Sequence, residues 1–153
     1  MNLSTERQRW LRVLALAPFA RLARDVSELE PLPAFVHVRG PEVGLAMVQG
    51  RAGADGAPFN LGEMTVTRCT LRVTIVDDEV RSGFACIAGR SPRHAELAAL
   101  CDAMLQSVRW RETVMQRVIA PAERALAERR VLAARRRAAT KAEFVTVVRS
   151  GEA

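Results

Sequence analysis

Between Met64 and Ile75 apolar residues (Met64, Val66, Cys69, Leu71, Val73, Ile75) alternate with threonines and arginines, the signature of a strand with one face buried. The alternation slips once, at Arg68-Cys69, where one extra residue in a bulge would re-aim the side chains that follow. Asp77-Asp78 predicts a turn, and VRSGFACIAG at 80–89 returns as the hairpin partner. A half-buried antiparallel hairpin must be covered on one face, so the rest of the chain has to supply that cover.

Two flanks offer it. Residues 5–29 carry apolar side chains at helical spacing, and Pro18 divides them into two short helices. Ser91-Pro92 predicts a helix start with a capping hydroxyl, after which Leu97, Leu100, Cys101, Met104, Leu105 and Val108 fall on one face. A second helix follows from about Arg111, broken or restarted at Pro121. Two further extended runs, 34–40 and 43–52, flank a Gly40-Pro41 turn, and 53–62, GADGAPFNLG, reads as a loop. The expectation is one α+β domain over 1–153: a four-stranded antiparallel meander with N- and C-terminal helices packed on it. Residues 142–153 end it as a short edge strand or a docking arm.

At 153 residues the chain can bury a core without metal or disulfides. No apolar run reaches the ~18–20 residues of a spanning helix, and the N-terminus lacks a secretory signal pattern, so the expected location is the cytoplasm. Cys69, Cys86 and Cys101 are odd in number and lack CxxC spacing, which predicts buried free thiols. The formal charge of +6 belongs to one segment: Arg109–Lys141 carries a net +7 and the remainder −1. That segment alternates arginines with alanines, Leu126, Val131 and Leu132, which suits a solvated face or an acidic partner.

Chemistry-bearing groups are few. His37 reads as a surface or core-edge histidine. His94 stands in a first helical turn beside Arg90 and Arg93 and two residues before Glu96, where free backbone donors and guanidinium groups can receive phosphate or carboxylate. The same residues equally describe an ordinary capped helix start. GADGAPFN lacks the lysine and hydroxyl of a phosphate loop and precedes a strand, so a hairpin connection accounts for it. Glu63, Thr65, Thr67 and Arg68 gather polar groups on a strand. No nucleophile–base–orienter set and no metal-ligand spacing is present, and the chain is poorly equipped to act alone as an enzyme.

Four segments, RQRWLRVLALAP, GLAMVQGRAGADGAPFNLGEMTVTRCTLRV, AGRSPRHAELAALCDAML and ATKAEFVTVVRSGE, occur in this order. Together they resemble the PhnG subunit family of the bacterial carbon–phosphorus lyase system, over roughly residues 7–152. The matching positions are Gly56, Phe59, Thr67, Arg68, Gly89, Arg90, His94, Ala95, Glu96, Phe144, Arg149 and Gly151.

The resemblance implies a role in phosphonate catabolism within a core complex containing the H, I and J subunits. With H, I and the ATPase-like L subunit, such proteins take part in displacing adenine from MgATP by an alkylphosphonate. The product is a ribose 1-phosphonate 5-triphosphate that the radical J subunit later cleaves. It also implies that the I subunit holds the nucleosidase chemistry and that this chain binds no cofactor, MgATP being a substrate of the complex. Arg68, Arg90, His94, Glu96, Thr67 and Gly56 are the expected substrate or interface residues. Two other readings stand beside this one: a purely structural assembly subunit, and a basic nucleic-acid-binding module.

Overall fold

The computed structural model describes residues 3–53, 55–75 and 79–140. Helix α1 (Leu3–Leu16) ends before Pro18, which caps α2 (Phe19–Ser27). Three strands follow, β1 (Ala34–Arg51), β2 (Pro58–Thr74) and β3 (Val80–Ala88), then α3 (Pro92–Leu105), α4 (Val108–Val114) and α5 (Ala120–Ala139). A π-helical stretch, Met115–Ile119, joins α4 to α5. It falls just before Pro121, which has no N–H to give back to the preceding turn, so the ladder loosens where it would lose a bond.

The sheet is antiparallel in the order β1-β2-β3, with three strands among the described residues where four were expected. The reason lies at Gly40-Pro41. No turn forms there, because β1 absorbs both residues in register shifts between His37 and Arg39 and between Arg39 and Glu42, and runs on as one strand against β2. The slip foreseen at Arg68-Cys69 is also relocated. The β2–β3 register is unbroken from Val66 to Thr74, and Thr67, Cys69, Leu71 and Val73 all point inward. It is β1, opposite, that bulges. The loop is shorter than read: Phe59, Asn60 and Leu61 belong to β2, pairing toward Gln49 and Gly50 with a third shift between Val48 and Gln49. The expected Asp77-Asp78 turn and the arm at 142–153 lie outside the described residues.

Helix α3 is the hub. It lies on the inner face of the sheet, and every residue from Leu97 to Leu105 is buried rather than one stripe. The sheet covers one side of it and α1, α2 and α4 approach the others, so beyond its first turn α3 has no solvated face to keep polar. Contact is closest at Gly83, where a Cβ would stand 1.9 Å from the Ala99 carbonyl oxygen. Only glycine lets β3 and α3 approach this far.

Among the described residues β3 pairs only with Val66–Thr74, so the β1–β2 ribbon beyond Val43 and Thr65 extends past β3. Val43, Leu45 and Met47 are exposed on one of its faces; Phe59, Leu61 and Met64 are exposed too. Leu45 is 58% and Leu61 62% accessible. Register puts Leu45 opposite Thr65, on the face of Thr67, whereas a Cβ on Gly50 would strike Leu61 at 2.7 Å, which places Leu61 on the other face. An isolated two-stranded ribbon is marginally stable in water, and this one is apolar on both sides.

Candidate functional site

The turn from β3 into the start of α3 carries three of the six residues expected at a site, Arg90, His94 and Glu96, and it is held by β2. Thr67 is buried; its hydroxyl donates to the Gly89 carbonyl (2.7 Å) and accepts from the Ser91 amide (3.0 Å). Ser91 occupies the helix cap position but its own hydroxyl makes no capping bond, so the start of α3 is fixed by Thr67 and by Pro92 instead. Gly89, at φ 90°, makes the reversal in a backbone region that side chains disfavour.

His94 is not an open anion receptor. It is buried, and its Nε2–H donates to the carbonyl of Leu14 at 2.8 Å, while Phe19 lies 6.1 Å away ring to ring. A carbonyl can only accept, so this contact defines the ring's tautomer. The bond satisfies an orphan carbonyl in the last turn of α1 and ties α1 to α3 across 80 residues of sequence. Glu96 faces β1 instead: its Oε2 accepts from His37 Nε2 at 2.9 Å and the other oxygen pairs with Arg93. The histidine expected at the surface or core edge thus clasps β1 to α3, with Phe35 edge-on at 5.8 Å.

Arg68 and Arg90 are exposed. Arg68 follows inward-pointing Thr67 and so emerges on the opposite face of the sheet from α3, where its guanidinium lies over Gly44, 3.1 Å from where a Cβ would be. Gly56 is remote from all of these, at the tip of the ribbon; the strand from Phe59 to Thr67 alone rises roughly 25 Å. Its role there is steric, since a Cβ would lie 2.1 Å from the Ala52 carbonyl oxygen. The six expected residues therefore divide into three side chains spent on separate internal contacts, Thr67 on the Gly89–Ser91 turn, His94 on α1 and Glu96 on β1, two exposed cations (Arg68, Arg90) and a turn (Gly56).

Sequence reasoning missed the most connected polar group. Asp102, fully buried in α3, accepts from Arg7 Nε (3.1 Å) and Nη2 (2.8 Å), from Trp10 Nε1 (2.9 Å) and from the Phe84 amide (2.9 Å). The amide comes from edge strand β3, whose outward N–H would otherwise be buried without a partner. The carboxylate raises the Arg7 pKa through these hydrogen bonds. One hint was available, an acid at the centre of an apolar helix. Above this network opens a cleft of about 690 Å³ lined by Arg7, Trp10, Arg81, Phe84, Gln106 and Arg111. Its arginines are already paired, Arg7 with Asp102, Arg81 with Glu79 (2.6 Å) and Arg111 with Glu6.

Neither buried thiol is primed for covalent chemistry. Burial pushes the Cys69 thiol up to about 11 and that of Cys101 up to about 12, Glu96 and Asp102 adding to the two effects, and a thiol that stays protonated is a poor nucleophile. Cys86, expected to be buried, is exposed on the outer face of β3 because strand alternation turns it away from Ala85 and Ile87. Among the described residues no three His, Cys, Asp or Glu side chains gather as a metal centre needs, and no helix is long and apolar enough to cross a membrane.

Among the described residues, a small α+β fold that spends its buried polar groups on its own scaffold and leaves an apolar ribbon exposed has the make-up of a component built to meet another protein. The comparisons give that class its family. Residues 5–150 match the family model described as phosphonate metabolism protein PhnG. The chain is 40% identical over 144 residues to the alpha-D-ribose 1-methylphosphonate 5-triphosphate synthase subunit PhnG of Rhizobium meliloti (strain 1021), covering 94% of this chain and 89% of that protein. The chain belongs to the PhnG family.

Proposed function

We propose that this chain is the G-type subunit of a ribose 1-methylphosphonate 5-triphosphate synthase in phosphonate catabolism. In this reading it works in the cytoplasm with the H, I and J subunits of the carbon–phosphorus lyase core and the ATPase-like L subunit. Together they transfer the ribose triphosphate of MgATP to an alkylphosphonate with release of adenine. The observation that carries the reading is the ribbon: Val43, Leu45 and Met47 on one face and Leu61 on the other remain in water unless another protein encloses them. Arg68 and Arg90 are the exposed cations available to a phosphate-bearing substrate or to the subunit contact, with Thr67 holding the turn at Arg90, His94 and Glu96 fixing the start of α3 against α1 and β1, and Gly56 shaping the ribbon tip.

Co-expression with the H, I and J subunits, followed by size and composition analysis, tests this. The chain is expected to enter the complex, and adenine release in the presence of the L subunit is expected to need it. Adenine release by a complex that lacks the chain, or turnover by the chain alone, overturns the reading.

The assembly-only alternative draws support from the internal engagement of Thr67 and His94. Arg68→Ala and Arg90→Ala separate the two, because neither makes an ion pair among the described residues: loss of adenine release with assembly intact supports a site role. His94→Ala does not separate them, since it orphans the Leu14 carbonyl.

A further inference from the structure

Among the described residues, helix α5 is anchored only at its beginning. Ala122 is buried, Leu126 packs against the core, and Glu123 holds Arg9 of α1 in a two-pronged pair at 2.7 Å. From Arg129 to Ala139 every residue except half-buried Ala133 is exposed, so about 15 Å of helix projects from the body. This projecting part carries five arginines and no acid, and none of the five makes an ion pair among the described residues. It is not simply a solvated face. Leu16, at the end of α1, joins Leu126, Leu132 and Ala133 as the floor of a groove of about 440 Å³, rimmed by Arg129, Arg130 and Arg136. Val131 and Leu132 are each about half exposed, at 51% and 50%.

We propose that this groove is the seat of an acidic, apolar-anchored segment of another synthase subunit: carboxylates on the arginine rim, one or two large apolar side chains on the leucine floor. The inference rests on the subunit reading above. Charge complementarity selects the occupant. A second copy seated symmetrically would set arginine against arginine. A nucleic acid would satisfy the rim and leave the leucines wet, and the groove offers no aromatic side chain on which a base could stack. A protein segment with acids flanking an apolar anchor satisfies both.

The test uses the full chain co-expressed with the other subunits, with the photo-crosslinking amino acid p-benzoylphenylalanine in place of Arg136. After irradiation of the purified assembly, mass spectrometry is expected to find the crosslink on an acid-rich segment of one partner subunit. Arg129→Glu, Arg130→Glu and Arg136→Glu together are expected to weaken retention in the complex roughly tenfold or more. Because all three residues are exposed, melting of the isolated variant is expected to stay at the parent value. Lysine substitutions in the crosslinked acidic segment are expected to restore retention of the triple variant. A crosslink to a second copy, to nucleic acid or to this chain's own residues 141–153 overturns the proposal, as does full retention of the triple variant. If the parent chain itself stays outside every assembly, the subunit reading fails instead, and the two failures are told apart by that control.

Discussion

Raising the pH from 8 to 10 is a clean perturbation of this fold, because the chain has no tyrosine and a single lysine, Lys141. Between pH 9 and 11 the titrating groups are therefore few, and the buried thiols of Cys69 and Cys101 dominate. Their usual value of 9.0 is pushed to about 11 and about 12 in the fold, first by burial and then by Glu96 and Asp102 respectively. Both folded values lie above the unfolded one, so the stabilising preference for the protonated form is complete below pH 9. It is lost as pH rises, through about 11 for Cys69 and about 12 for Cys101, because the unfolded chain releases protons that the folded chain retains. At pH 10 each thiol costs about 1.4 kcal/mol, and the pair about 3 kcal/mol. For a domain of this size that lowers Tm by about 10 °C. Urea titrations at pH 8, 9 and 10 under reducing conditions, followed by Trp fluorescence, measure it. Cys69→Ala with Cys101→Ala is expected to flatten the dependence. A parent whose stability is level from pH 8 to 10, or a double variant that keeps the full slope, refutes the assignment of the loss to these thiols.

Two further outcomes follow from packing. Asp102→Asn removes the charge that faces Arg7 and turns an amide toward donors at Trp10 and Phe84. With Arg7 partly in water the loss falls at the lower end of the range for broken buried pairs, about 3 kcal/mol by urea unfolding; a change below about 0.5 kcal/mol would sink the claim that this carboxylate organises the core. Gly83→Ala forces β3 away from α3 at the Ala99 carbonyl and is expected to cost about 2–3 kcal/mol, whereas the same substitution at Gly40, where a Cβ meets nothing within 4 Å, is expected to stay within about 1 kcal/mol.

The local elements were readable because their causes are local. Pro18 and Pro92 mark helix starts whatever surrounds them, and the inward run Cys69, Leu71, Val73 announces a half-buried strand by its period alone. Gly40-Pro41 misled for the complementary reason: a turn dipeptide is also compatible with bulges, and only the register of β2 across from it selects between the two. The candidate site fared similarly. His94 reads in sequence as a candidate anion receptor in a first helical turn, yet its partner is a carbonyl 80 residues away.

By itself, then, the amino-acid order determined the class of fold, the basic character of one helix, the scarcity of reactive groups and the family. Tertiary structure alone decided that α3 is buried all round from Leu97 to Leu105, that Asp102 gathers Arg7, Trp10 and Phe84, and that a long ribbon stands in solvent on both faces. The physical reason is range. Backbone preference and side-chain period act over a few residues and are written in sequence, whereas burial and hydrogen-bond partnership depend on which distant segments fill the same space.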